Sequence, residues 1–192
     1  MKFVLTLAAS AWLAAAPAAL AQSPAGAFFD ALGKLCGQSF AGQVAAGNET
    51  DAVFREAELI MHVASCDETE IRIPFHVGED HSRTWVITRL GEDRLRLKHD
   101  HRHDDGTEDE LSQYGGDSLE LGTAGRQSFP VDAYSIALFT RTDRTVSNTN
   151  VWSLELSPET FTYELARPGR LFRVDFDLTK PLPAETGVVP GA

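Results

Sequence analysis

The chain has 192 residues, 43% hydrophobic and 23% charged, a composition that carries one folded core and excludes disordered or collagen-like classes. Seventeen Lys and Arg against 28 Asp and Glu leave a formal charge of −11. That balance argues against broad attraction to phosphate backbones or anionic lipid, so no nucleic-acid partner is expected.

Residues 1–21 read as a secretory signal: Lys2, an apolar run from Phe3 to Ala16, Pro17, then Ala19-Leu20-Ala21 before Gln22. Cleavage after Ala21 predicts a periplasmic or secreted protein, and the absence of Cys after the cleavage site gives no lipoprotein signal. The apolar run is short for a bilayer, and no other stretch approaches about 18 consecutive apolar residues, so no membrane span is expected. In an oxidising compartment Cys36 and Cys66 are a plausible disulfide pair.

Ser23-Pro24 resembles an N-cap with proline at the first helical position, and Phe28, Phe29, Leu32 and Leu35 follow at helical spacing. After Gly37 the period changes to two. Strands are predicted at 39–46, 56–65, 70–77, 84–90, 94–103, 150–156, 160–166 and 170–178, with short ones between 110 and 121. In the last strand Phe172, Val174, Phe176 and Leu178 share one face, and Arg173, Asp175 and Asp177 the other. Ile71, Ile73, Phe75 and Val77 repeat the pattern, with Pro74 marking an edge or a bulge. Phe161, Tyr163 and Leu165 do the same.

The stretch 122–149 interrupts this pattern: Phe129 to Asp132 opens a predicted short helix through Phe139, and a polar loop runs from Arg141 to Asn150. Short consecutive strands with tight turns predict an all-β, antiparallel barrel, or alternatively a β-sandwich, with a short N-terminal helix. The domain is expected to span 22–180, followed by a flexible, Pro- and Gly-rich tail at 181–192.

Gly37-Gln38-Ser39-Phe40-Ala41-Gly42 after a short helix, with Arg170-Leu171-Phe172-Arg173 in a final strand, resembles the calycins, the lipocalin-like barrels. In them a Gly-x-aromatic element opens the first strand and a basic residue on the last strand covers the aromatic; here Phe40 stands where Trp is usual. The blocks Ile73-Pro74-Phe75-His76-Val77-Gly78, Arg83-Thr84-Trp85, Leu97 to His103, Tyr114-Gly115-Gly116 and Arg173 to Leu178 resemble a family of uncharacterised exported proteobacterial proteins, which brings no activity with it. The calycin resemblance implies a barrel with a ligand space in or above it.

The most informative stretch is Leu95 to Asp104. Period two puts Leu95, Leu97, His99, His101 and His103 on one face and Arg96, Lys98, Asp100, Arg102 and Asp104 on the other. The charged face is expected to be solvated, so the histidines continue the inward face. Histidines two apart stand about 6.5–7 Å apart on one side of a strand, a spacing that metal sites use. His99, His101, His103 and Asp104 are therefore the candidate metal ligands, for a transition ion such as zinc or copper. The competing readings are a polar inner layer, each imidazole hydrogen-bonded across the barrel, and a solvated hairpin end, in which Asp104-Asp105-Gly106 is the turn and the strand stops at His101. His81 is a further candidate member through hairpin pairing.

Two motifs fail their context tests. The acidic run Asp104 to Glu110 does not meet EF-hand spacing. Gly116-Asp117-Ser118-Leu119 spells the GDSL esterase signature, but Ser112 to Gly115 is no buried strand and no histidine follows His103.

The function expected from the sequence is binding of a small molecule or metal in or above the barrel, with Phe75, Trp85, His99, His101 and Tyr163 as candidate ligand contacts. The alternatives are an envelope structural or interaction protein, and an enzyme using inner-face His and Asp. The sequence does not set the oligomeric state.

Overall fold

A computed structural model describes residues 22–119, 122–183 and 186. The predicted signal at 1–21 and residues 184, 185 and 187–192 of the predicted tail lie outside the described residues.

Helix α1 (Pro24–Gly33) begins where Ser23 Oγ accepts the Gly26 N–H at 3.0 Å, with Pro24 in the first turn. Its apolar spacing buries Phe28, Phe29 and Leu32 against β6 (Arg94–His101), β8 (Arg126–Pro130) and β9 (Val151–Leu156). The helix sits at the barrel end that carries the turn after β5 (Asp80–Leu90), where the Arg89 guanidinium lies 4.4 Å from the Phe29 ring centre and pairs with Asp30.

The remaining strands are β1 (Ser39–Ala46), β2 (Leu59–His62), β3 (Ser65–Cys66), β4 (Glu70–Val77), β7 (Tyr114–Asp117), β10 (Thr160–Arg167) and β11 (Arg170–Asp177). All pairings are antiparallel, in the order β7-β6-β5-β4-β2-β1-β11-β10-β9-β8, with β3 also on β4. This is a nearly closed barrel rather than two packed sheets. The period-two residues fill it: Ile71, Ile73, Leu97, Phe129, Leu154, Phe161, Val174 and Phe176 are fully buried.

The gap between β7 and β8 is closed by glycine and by α3 (Ala133–Arg141) rather than by a ladder. The Gly115 carbonyl accepts the Asp132 N–H at 2.9 Å, and the Gly115 N–H donates to Ser135 Oγ at 2.8 Å. A Cβ on Gly116 would stand 1.8 Å from the Pro130 carbonyl oxygen, so the two strands approach closely only because that position carries none.

Several expectations are refined. Pro74 lies in a strand paired on both flanks, but the ladder on one flank breaks between β2 and β3, where its missing N–H leaves no bond unmade. The predicted helix at 129–139 starts later, capped by Asp132, because Phe129 and Pro130 belong to β8. A 3-10 turn at Glu49–Asp51 with α2 (Ala52–Glu56) follows β1, and a second 3-10 turn spans Thr145–Thr149. Asp100, on the outer face expected to be solvated, is buried beneath Arg72 and Arg102 at 2.6 and 3.0 Å. Within the predicted tail, Leu182 donates its N–H to the Ser39 carbonyl at 2.8 Å, so the chain is tied to β1 there.

The sulfurs of Cys36 and Cys66 stand at bonding distance, with Cα atoms 6.1 Å apart, and tie the segment after α1 to β3. Among the described residues, no helix is long and apolar enough to cross a membrane.

Candidate functional site

His99 projects inward from β6 and Tyr163 from β10 on the facing wall. Their Nε2 and hydroxyl oxygen stand 2.8 Å apart, and His99 Nδ1 is 3.1 Å from the Tyr114 carbonyl oxygen. A carbonyl only accepts, so Nδ1 carries the proton and Nε2 accepts from the Tyr163 hydroxyl. Burial, helped by the nearby His101, pushes the His99 imidazole down to about 3, so it is neutral at physiological pH. Burial likewise drives the Tyr163 hydroxyl well above its ordinary range, with Tyr114 adding to the effect.

A second tyrosine–histidine contact lies beside the first, with the Tyr114 hydroxyl 3.2 Å from His101 Nε2. Burial pushes the Tyr114 phenol up to about 12. Burial and the Arg83 cation bring His101 down to about 4. Beneath this layer the interior is a column of rings: Phe75 on Trp85 at 4.7 Å, and Trp85 on Tyr163 at 4.6 Å and 7°. Phe75, Trp85 and His99 are each at most 3% exposed, so they fill the barrel and leave no room beside them for a ligand.

The predicted metal ligands do not converge. Strand β6 ends at His101, and the chain leaves the wall through the turn Asp104-Asp105-Gly106. His103 and Asp104 are exposed, with His103 Nε2 3.9 Å from an Asp109 carboxylate oxygen, and both His99 nitrogens are already engaged. His81 stacks on His76 at 4.1 Å rather than joining this group. Among the described residues, no three His, Cys, Asp or Glu side chains form a group that could hold a metal ion. The zinc or copper centre expected at His99, His101, His103 and Asp104 is thus not assembled in this geometry. The hydrogen-bonded inner layer describes His99 instead.

One space for a ligand lies a layer higher, above the inward-facing rings. A cleft of about 590 Å³ opens at the end of the barrel opposite α1, between the β10–β11 turn and the segment 144–150. Tyr114, Trp152 and Tyr163 make its floor, with Leu111, Phe139, Val146 and Leu165 on its walls, and Arg144, Arg167 and Arg170 also line it. Of the five ligand contacts expected from the sequence, Tyr163 alone lines this cleft, while His101 reaches it through the Tyr114 ring. Trp152 falls within the predicted strand 150–156 and Phe139 closes the predicted short helix, whereas Arg144 and Val146 come from the stretch with no strand period and carried no signal.

Among the described residues the cleft lining includes no Asp, Glu or His, so its surface offers no imidazole–carboxylate pair for acid–base work. Ser118 of the esterase-like tetrapeptide is fully buried, and its Oγ accepts the Leu95 N–H at 2.9 Å, a structural bond. No protein-family model, curated protein or solved structure matches the chain.

Proposed function

We propose that this protein is an exported, non-catalytic barrel that binds a small organic molecule above its filled interior, in the cleft floored by Tyr114, Trp152 and Tyr163. The observation that carries the reading is that a concavity of about 590 Å³ opens directly above the aromatic column, at its Tyr163 end. The lining mixes aromatic and aliphatic side chains with arginines, amides and hydroxyls, so both the apolar body and the polar head of a small molecule would find partners there. Export rests on the signal-like pattern at 1–21 and accords with the Cys36–Cys66 pair, which suits an oxidising compartment. The calycin resemblance supports a ligand role for the barrel mouth.

The test is calorimetric titration with naphthyl and octyl compounds carrying neutral, acidic or basic heads. Trp152 in the floor provides a second readout by fluorescence. At least one compound is expected to bind the wild type, and Leu165→Trp, which fills the cleft from its wall, is expected to abolish that binding without lowering the melting temperature. Binding unchanged in Leu165→Trp would sink the assignment.

The packed interior favours a second reading, a structural barrel of the envelope whose work is done on its outer surface. That reading gains if no compound of the panel binds.

A further inference from the structure

We propose that the ligand of this cleft is an amphipathic carboxylate, its apolar body against Tyr114 and Leu165, the partly exposed apolar side chains of the lining, and its head group on the Nε and Nη2 edge of the Arg167 guanidinium. This rests on the cleft being a binding site, and adds the charge and head-group chemistry of what it binds.

The first support is the charge pattern. The chain carries 28 acidic residues against 17 basic ones, yet among the described residues the cleft is lined by Arg144, Arg167 and Arg170 and by no carboxylate. A cationic concavity in an anionic molecule focuses attraction on anions at that one place.

The second support is how the three cations are used. Arg170 is satisfied: its Nη1 and Nη2 donate to the two carboxylate oxygens of buried Asp51 at 2.9 and 2.6 Å. Arg167 faces Arg170 across the β10–β11 turn and donates Nη1 to the Asn150 amide oxygen at 3.0 Å, a neutral partner. Among the described residues neither Arg167 nor Arg144 has a carboxylate within ion-pair distance, whereas the outer-wall arginines Arg72, Arg96, Arg126 and Arg173 all do. With Nη1 engaged, the Nε and Nη2 edge of Arg167 is a planar two-donor fork, the shape that a carboxylate fills with two parallel bonds.

The third support is desolvation. Arg167 is half-buried, and burial together with the neighbouring Arg170 charge holds its pKa below the ordinary arginine value. A cation in that position gains from an incoming anion more than a solvated one does. Depth fits too: Tyr163, Leu165 and Arg167 follow one another at period two along β10 up to its turn, and all three line the cleft, so one molecule can reach from floor to rim.

The experiment titrates 2-naphthoate and 2-naphthamide, equal in shape and different in charge, into the full-length folded protein and into Arg167→Gln. The carboxylate is expected to bind the wild type at least about tenfold tighter than the amide. Arg167→Gln is expected to bring the carboxylate to the affinity of the amide while leaving the amide unchanged. Added salt should weaken the carboxylate alone. Should Arg167→Gln fail to fold, Arg167→Lys keeps the charge and removes the fork, and the carboxylate preference should shrink in it too. Equal affinity of the two probes for the wild type, or a preference unmoved by either substitution, overturns the head-group assignment while the cleft stands as a site. No binding of either probe at about 1 mM, together with none across the naphthyl and octyl panel, overturns the site itself and this inference with it.

Discussion

His99 Nε2 and the Tyr163 hydroxyl are 2.8 Å apart across the barrel interior, joining β6 to β10, strands that share no ladder. The Tyr114 carbonyl accepts from Nδ1–H, and burial keeps the imidazole neutral with Nε2 as its acceptor. Protonation would turn the Tyr163 hydroxyl from donor to acceptor and, at greater cost, bury a charge in the ring column.

The pH dependence of stability follows from that cost. The folded His99 is depressed from 6.5 to about 3, so below 6.5 the unfolded chain binds a proton that the native one refuses. Stability from this group is full above 6.5 and is lost as pH falls toward 3, with a slope near 1.4 kcal/mol per pH unit in that window. His101 and His76, both at about 4, add to the slope down to that value. Urea titrations at stepped pH measure it. Nitrogen NMR should show His99 as the Nδ1–H tautomer down to pH 5, and a native titration midpoint near 6.5 would contradict the assignment.

How much of this was legible depends on whether period-two alternation was intact. β1 and β4 match their predicted bounds, 39–46 and 70–77, because Ile71, Ile73, Phe75 and Val77 alternate without interruption. β8 left no such trace: its inward positions are Gln127 and Phe129, and the polar Gln127 is buried with its amide donating to the Thr123 carbonyl at 2.8 Å. The inward direction of His99 was readable, but its partners were not, since Tyr163 and the Tyr114 carbonyl reach it from strands distant in sequence. Alternation alone carried His103 onto the inward face, whereas the turn signal at Asp104-Asp105-Gly106 pointed to a hairpin end, and β6 does end at His101 with His103 exposed. The cleft was invisible for a related reason: its Arg144 and Val146 sit on a segment whose position is set by packing against α3.

The β7–β8 seam yields a second prediction. A methyl at Gly116 collides with the Pro130 carbonyl at 1.8 Å, and this oxygen is backbone, unable to step aside as a flexible side chain would. Gly116→Ala should therefore cost about 3 kcal/mol or more, through forced separation of β7 from β8. Its signature is faster amide exchange at Gly115 and Asp132, whose bond closes the barrel. Gly91→Ala is the control: nothing lies within 4 Å there, and its φ of +69° limits the effect to backbone strain of about 1 kcal/mol.

The Cys36–Cys66 pair spans 30 residues of sequence that include β1, α2 and β2. On the chain-entropy account a loop of that size contributes about 3–4 kcal/mol by restricting the unfolded chain. Cys36→Ser/Cys66→Ser should lower the urea midpoint accordingly. It should leave binding in the cleft unchanged, because the bridge joins the α1 end of the barrel and the cleft opens at the other. Loss of probe binding in a variant that still folds would show the two ends to be coupled.

The Asp51–Arg170 pair ties stability to binding. Burial pushes the Asp51 carboxyl up, but the Arg170 bonds, the Asn48 N–H and the nearby cations outweigh it and hold it below 3.8. Its contribution is present above 3.8 and is lost as pH falls below that value. Asp51→Asn removes the charge and leaves Arg170 unpaired at the cleft rim, at 16% exposure. Breaking such a pair costs about 3 kcal/mol, at the low end of the range for buried pairs because Arg170 can turn toward water. The freed guanidinium also adds a second anion donor beside Arg167, so 2-naphthoate should bind tighter to Asp51→Asn even as the melting temperature falls. Asp51→Asn/Arg170→Met removes both charges and should recover part of the stability while returning the affinity to that of the wild type. Opposite movement of stability and affinity in the single variant, cancelled in the double, is the result that a purely structural ion pair would not give.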